Sequence, residues 1–327
     1  AQAAIRQHAL KSPSAWCQST AVMMDALHSM HVLLGSMCFF ALVFHIANRL
    51  SDRYVKVYRD FSIPEQGDWC SRVNSTIHAL VIATGMTYSF MQQQWDDDLL
   101  PTKETPMHLA TILFSFSCGY FLFDLFVLVL WQVPLWRVFV IHHIVAALPY
   151  LIFTTHAGCG MDLYLLQLFL MVEFAVIPLN ITTFMEQLGY GKTKTHEFFF
   201  YTTYVFWFVA RVLLPLYNVY VLWTKIIPGA GAAPLCTVPA AFCGHIIAAF
   251  CIGVFIFVWT PDVLAKWRVP VLQMDEYPDY KLTMRQSMTP RSNPIFTPTD
   301  GTDKWGANYG SVSGSTRDPQ WTPKSIV

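Results

Sequence analysis

Charge is what this chain has least of. Only 13% of its 327 residues are Asp, Glu, Lys or Arg, and the formal net charge is zero. No basic surface is available to neutralise phosphates, so a nucleic-acid binder is excluded. No two of the eight cysteines form a CxxC pair, which leaves a zinc ribbon or thioredoxin-type site without support. No HExxH or ExxH pattern places metal ligands one turn apart on a helix, and adjacent histidines cannot reach one ion together, so no metal site is expected. The His boxes of membrane oxygenases and a GxSxG nucleophile motif are also missing. The first twenty-four residues hold Arg6 and Lys11 but no acid, a weak match to an organelle-targeted N-terminus, which keeps a mitochondrial location open.

What fills the chain instead is apolar sequence, 54% of all residues, as in an integral membrane protein. Seven stretches reach the roughly 20 residues that a bilayer core requires. They are Ala26–Ala47, Arg72–Met91, His108–Trp131, Leu135–Thr155, Met161–Met185, Phe198–Trp223 and Cys236–Trp259. Lys and Arg alternate between the connecting segments, about sixteen to four, and the alternation is clean only with seven crossings. This predicts an all-α membrane protein with its C-terminus on the cytoplasmic or matrix side. Cys159 and Cys236 then share the opposite edge, where they form a disulfide if that side is oxidising or remain two thiols if it is not.

The chain divides into an N-terminal segment (1–25), a first crossing with its basic loop (26–67), a six-crossing domain (68–260) and a polar tail (261–327). The tail is rich in Pro, Ser, Thr and Gly yet carries Trp305, Tyr309 and Trp321, which suits an arm that lies on a partner protein. The sequons at Asn74 and Asn180 fall at a cytoplasmic edge and inside a crossing, and read as coincidence.

The stretch LWRVFVIHHIVAALPY, residues 135–150, carries adjacent histidines at membrane depth. Ionisable groups there are costly and face a protein interior or a watery space. Neighbours on a helix point roughly 100° apart, so one ring can face a central space while the other contacts a helix. His45, His78, Asp124, Glu173, Asn180, Arg211 and His245 also fall inside crossings. Tyr120 and Asp124 share a helix face, as do Glu173 and Asn180, and as do Trp207, Arg211 and Asn218. Two readings stay open. Either these groups line a cavity, or a pair such as Glu173–Arg211 or Asp124–Arg211 only locks packing. In a cavity, a histidine oriented by a carboxylate can abstract a proton or take up an acyl group.

The segments WCSRVNSTIHALV, CGYFLFDL, VFVIHHIVA, EFAVIPLN and FWFVARVLLP, in this order, resemble the TLC-domain (TRAM/longevity-assurance/CLN) family over residues 68 to 259. The resemblance implies six helices in a barrel around a lipid-accessible cavity, with one additional N-terminal crossing. Ceramide synthases of that family transfer a fatty acyl group from acyl-CoA to a sphingoid amine. They place a His–Asp pair and a further aspartate one helix after the double histidine. Here Phe169 and Leu170 stand near the positions of the pair, and Glu173 near that of the later acid. The pattern is closer to the non-synthase branch.

The expected function is therefore non-catalytic binding of a membrane lipid, in lipid homeostasis or trafficking, with no cofactor. His78, Tyr120, Asp124, His142, His143, Glu173, Asn180 and Arg211 are expected to line or brace the cavity. One alternative is an acyltransferase with His142 and His143 catalytic and acyl-CoA as cosubstrate. Another is a structural subunit of a larger membrane complex, engaged through the tail. The family's usual location implies the endoplasmic reticulum or another endomembrane; the alternative is the mitochondrial inner membrane.

Overall fold

The computed structural model describes residues 15–95, 108–156, 159, 162–228 and 234–268, with residues 15–26 and 268 described by backbone alone. The polar tail beyond residue 268, with its aromatic residues, lies outside the described residues, as does most of the acidic connection after Trp95. Among the described residues the chain is helical and has no strand.

Helix α1 (Ala15–Tyr54) is followed by a 3-10 turn (Lys56–Asp60) and by α2 (Ile63–Gln92), α3 (His108–Trp131) and α4 (Trp136–Thr155). The fifth crossing is α5 (Leu163–Leu170), a 3-10 turn (Met171–Ala175) and α6 (Val176–Gln187). The sixth is α7 (Lys194–Phe208), a π turn (Val209–Leu213), α8 (Leu214–Val221) and a second π turn (Leu222–Ile226). The seventh is α9 (Pro234–Val254), a π turn (Phe255–Trp259) and α10 (Thr260–Arg268).

Local chemistry marks the ends. Ser62 and Glu65 form a capping box at the start of α2: the Ser62 amide donates to Glu65 Oε2 at 2.9 Å. Thr193 caps α7 by accepting from the His196 amide at 3.2 Å. Gly189, at φ 84°, provides the left-handed turn after α6. Between α3 and α4 the chain reverses within a few residues, and Gln132 and Leu135 both take positive φ to do so.

Among the described residues, six helical stretches are long and apolar enough to cross a membrane: α1, α3, α4 and the fifth, sixth and seventh crossings. Helix α2 has the length, 30 residues, but a more polar composition. The reason is its packing. The Ser71 hydroxyl, the Asn74 amide nitrogen and His78 Nε2 are engaged by side chains or carbonyls of neighbouring helices, so much of their polarity is absorbed inside the protein, while Asn74 Oδ1 and His78 Nδ1 have no hydrogen-bond partner among the described residues.

The packing closes a ring. Helix α2 packs on α3, α3 on α4, α4 on α9, α9 on α8, α8 on α5, and the fifth crossing returns to α2. Helix α1 stands outside this ring, against α3 and α2. Its approach to α3 is close enough to require Gly119, where an added Cβ would collide with the Leu33 carbonyl oxygen and come within 2.6 Å of Ser36 Cβ. The Ser36 hydroxyl bonds the Phe116 carbonyl across this contact at 2.6 Å. At the ring's other end Cys159 and Cys236 are disulfide-bonded, with Cα atoms 5.4 Å apart, which ties the segment before α5 to the start of α9. Beside it, Thr237 donates from its hydroxyl to the Asp162 carboxylate at 3.4 Å.

Candidate functional site

The polar residues of the crossings gather into two clusters on the inward faces of the ring. The first joins α2, α3 and α4. Asp124 Oδ2 lies 2.9 Å from His143 Nε2, and Asp124 Oδ1 accepts from the Ser71 hydroxyl at 2.6 Å. His143 Nδ1 is 2.7 Å from the Phe139 carbonyl, which can only accept, so Nδ1 carries a hydrogen. A neutral ring would then turn a bare Nε2 toward a carboxylate oxygen, two acceptors in contact. The 2.9 Å separation therefore requires a proton between them, carried by either partner. His245 shows the contrasting case. Its Nδ1 also donates to a carbonyl (Ala241, 2.7 Å), but its Nε2 accepts from the Trp223 indole at 3.1 Å, and a neutral ring satisfies both contacts.

The second cluster joins α2 to the fifth and sixth crossings. Arg211 donates to Glu173 Oε1 at 3.4 Å and to the Val172 carbonyl at 3.3 Å, and its guanidinium lies 4.8 Å from the centre of the Trp207 ring. Glu173 Oε2 approaches His78 Nδ1 at 3.7 Å, too long for a hydrogen bond, while His78 Nε2 meets the Ser117 hydroxyl at 3.0 Å. Both ends of the ion pair come from irregular helix. Glu173 sits in the 3-10 turn of the fifth crossing and Arg211 in the first π turn of the sixth. Tyr120 stacks on His78 with ring centres 4.0 Å apart and stands 6.3 Å from His143, so its ring separates the two clusters.

The adjacent histidines do divide their directions. His143 is buried and both its nitrogens are engaged. His142 is half-buried, its ring 5.2 Å from that of Phe250 on α9, with Arg211 and Glu173 among its electrostatic neighbours. Among the described residues the His142 ring has no hydrogen-bond partner, so of the adjacent pair it is the one with free nitrogens.

Asn180 lies apart from both clusters. Its amide donates to Thr76 Oγ1 at 3.0 Å and its carbonyl accepts from Arg72 at 3.4 Å, so it clamps α6 to α2. Arg72 is itself held by Asp68 at 2.9 Å. His45 is exposed on the outer face of α1. Of the two pairings considered for Arg211, the structure has Glu173; Asp124 is taken by His143 instead.

An open groove of about 420 Å³ runs between the fifth and sixth crossings. Met171, Phe174, Val209, Ala210, Leu213 and Tyr217 are among its lining residues, and none of the expected polar residues is. Glu173 and Arg211 are nonetheless the immediate chain neighbours of Phe174 and Ala210, so groove and ion pair lie back to back on the same turns. Tyr217 pairs its hydroxyl with that of Tyr164 at 3.1 Å. Sequence reasoning missed the groove because it arises from two helices losing regularity at the same depth. It also missed Ser71 and Ser117, ordinary small residues in the sequence that the fold turns into partners of Asp124 and His78. Among the described residues no group of three or more His, Cys, Asp or Glu could hold a metal ion.

Comparison with known proteins agrees with this architecture. The chain is 28% identical over 173 residues to the zebrafish (Danio rerio) TLC domain-containing protein 4-B, covering 51% of this chain and 62% of that protein. It is 32% identical over 130 residues to the Xenopus laevis TLC domain-containing protein 4-A, covering 38% and 49%. To the human TLC domain-containing protein 4 it is 27% identical over 140 residues, covering 41% and 50%. The chain thus spans about half to three-fifths of the length of these curated relatives. No solved structure matches it significantly. Residues 68–264, the ring of six crossings, match the TLC-domain model of the TRAM_LAG1_CLN8 family, and the chain belongs to that family.

Proposed function

We propose that this multi-pass TLC-domain protein holds a membrane lipid between its helices and does so without transforming it. The observation that carries the reading is the groove between the fifth and sixth crossings. It lies within helices long and apolar enough to be in the bilayer, so the molecules that reach it are bilayer components. Its lining residues carry no charge, and a hydrocarbon chain is what such a surface receives. The non-catalytic part of the reading is supported by His143. A ring with both nitrogens engaged has no lone pair to offer a substrate until Asp124 lets go.

The test is mass spectrometry of the full chain released gently from its own membrane. A co-purifying lipid that survives washing supports the proposal; a chain that carries none and takes up none from vesicles of mixed phospholipid and sterol overturns it.

A second reading is favoured by one observation, the half-buried ring of His142, which has no hydrogen-bond partner among the described residues. It is acyl transfer from acyl-CoA to a long-chain amine or alcohol. Product formed by the purified protein and lost in His142→Ala would establish it in place of the first.

The orientation we propose puts the Cys159–Cys236 end on the oxidising, non-cytoplasmic side of the membrane. The disulfide and the sixteen-to-four distribution of Lys and Arg support this independently. An endomembrane such as the endoplasmic reticulum supplies such a side.

A further inference from the structure

Helix α1 stands outside the ring, and the ring uses one side of it. Leu33, Phe40, Phe44 and Ala47 are buried against α2 and α3. The side turned away from them carries Gly35, Cys38, Leu42, His45 and Arg49, all exposed. These positions advance by three and four residues in alternation, so they form one seam along the helix.

The composition of this seam does not suit lipid. On a helix left alone in a bilayer it would be the surface farthest from any protein, where large apolar side chains belong. The large apolar groups Leu34, Phe39, Ile46 and Leu50 sit on its flanks instead. Gly35 offers no side chain, and a Cβ added there would meet nothing within 4 Å. His45 places an imidazole one turn inside Arg49, within the apolar stretch, and its ring has no hydrogen-bond partner among the described residues. An ionisable ring is costly against lipid and is normally turned to protein or water. A glycine on a membrane helix lets another helix come close. Two observations of different kinds therefore call for a helix over the seam.

The chemistry of the seam selects the occupant. A neutral imidazole has one donor and one acceptor. Another imidazole complements it, one ring donating and the other accepting. Two copies of this chain enter the membrane in the same orientation, so their α1 helices meet in parallel. About a two-fold axis each seam residue then meets its own counterpart, Gly35 beside Gly35 and His45 beside His45. At the membrane edge the exposed Arg49 is followed three residues on by the exposed Asp52, so each copy brings an anion as well as a cation to that end.

We infer that the outer seam of α1 is the contact surface for a second copy of this chain, in a parallel two-fold pair that closes at Gly35 and is hydrogen-bonded through His45. The inference does not depend on what the groove between the fifth and sixth crossings holds, since α1 packs on α3 and α2.

The seam supplies its own reporter. Among the described residues Cys38 is exposed and the other free cysteines are buried. The experiment uses the full chain in liposomes, with Cys17→Ser to leave Cys38 as the accessible thiol, and a membrane-permeant thiol oxidant. Cys38 is expected to link to Cys38 of a second copy, giving a dimer on a non-reducing gel that is lost in Cys38→Ser. In the Cys38→Ser background, Leu42→Cys is expected to restore the link, and Phe39→Cys, on the flank, is not. Förster transfer between labelled copies diluted in lipid reads the affinity. His45→Leu is expected to weaken association about three- to tenfold, the loss of one interhelical hydrogen bond. Gly35→Leu is expected to weaken it by more than about tenfold, by holding the backbones apart. Gly35 and His45 have no such contacts within their own chain, so both variants should unfold at the unmodified midpoint, which thermal unfolding checks. A chain that gives no dimer by either readout overturns the inference. A dimer that links through Phe39→Cys as readily as through Leu42→Cys, or that ignores Gly35→Leu, overturns the assignment to this seam. Oxidation repeated in the native membrane that links Cys38 to a different protein, identified by mass, overturns the second copy as the occupant.

Discussion

Asp124 and His143 cannot make their 2.9 Å contact without a proton between them, because the Phe139 carbonyl has already claimed the hydrogen on Nδ1. The pair is therefore neutral as a unit, which is what its burial demands. Substitutions separate this from a simple ion pair. Asparagine at position 124 can donate to a neutral His143 and still accept from Ser71, so Asp124→Asn should cost less than about 1 kcal/mol. Asp124→Leu strands both partners and should cost about 2–4 kcal/mol. Thermal unfolding of the detergent-solubilised protein checks both; equal losses would contradict the shared proton.

The Glu173–Arg211 pair should behave differently. Removing one member leaves a buried charge alone, so Arg211→Met or Glu173→Leu should each destabilise by about 3–5 kcal/mol. The double variant should recover much of that loss, since two apolar side chains leave no charge uncompensated. A double-mutant cycle on unfolding free energies measures the coupling; additive losses would mean the two groups do not meet.

Gly119 and Gly35 form a matched comparison. A Cβ at Gly119 collides with the Leu33 carbonyl and the Ser36 side chain, whereas a Cβ at Gly35 meets nothing within 4 Å. Gly119→Ala should cost about 1–3 kcal/mol and loosen α1 from the ring. Gly35→Ala should be neutral or stabilising by up to about 1 kcal/mol, through helix propensity. Limited proteolysis of the segment after α1 and the unfolding midpoint report both.

Cys159 and Cys236 are 77 residues apart in sequence. In the chain-entropy account, a cross-link over a loop of that length stabilises by roughly 4 kcal/mol. Cys159→Ser and Cys236→Ser should lower the unfolding midpoint alike, and the double variant should be no worse than either. Non-reducing peptide mapping of protein from its native membrane should recover the two cysteines as one linked peptide; two free thiols there would remove the support for the proposed orientation.

Much of the architecture was legible from composition and period. A stretch of about 20 apolar residues has few stable alternatives to a helix in a bilayer, so the crossings were visible, some of them nearly to the residue. His108–Trp131 was expected and found with the same ends. Helix α2 was the least legible by hydropathy, because Asn74 and His78 are polar by type and apolar only by partnership. The gathering of His78, Glu173 and Arg211 was partly legible, since ionisable groups at membrane depth must find one another. Asn180 was grouped with them through the spacing of Glu173 and Asn180, yet a 3-10 turn intervenes and changes the pitch. The structure turns Asn180 to Arg72 and Thr76 instead.

The sequence by itself determined that this chain enters a membrane as a bundle of helices, and which side chains cannot be left to face lipid. Those follow from hydropathy, length and the cost of buried charge, none of which depends on neighbours. Only the tertiary structure decided which carboxylate met which cation, which of two adjacent histidines kept its nitrogens free, and where a groove opened. Each of those depends on helix rotation and on the local π and 3-10 turns, which shift a side chain's direction by tens of degrees. Such shifts are set by packing between segments far apart in the chain.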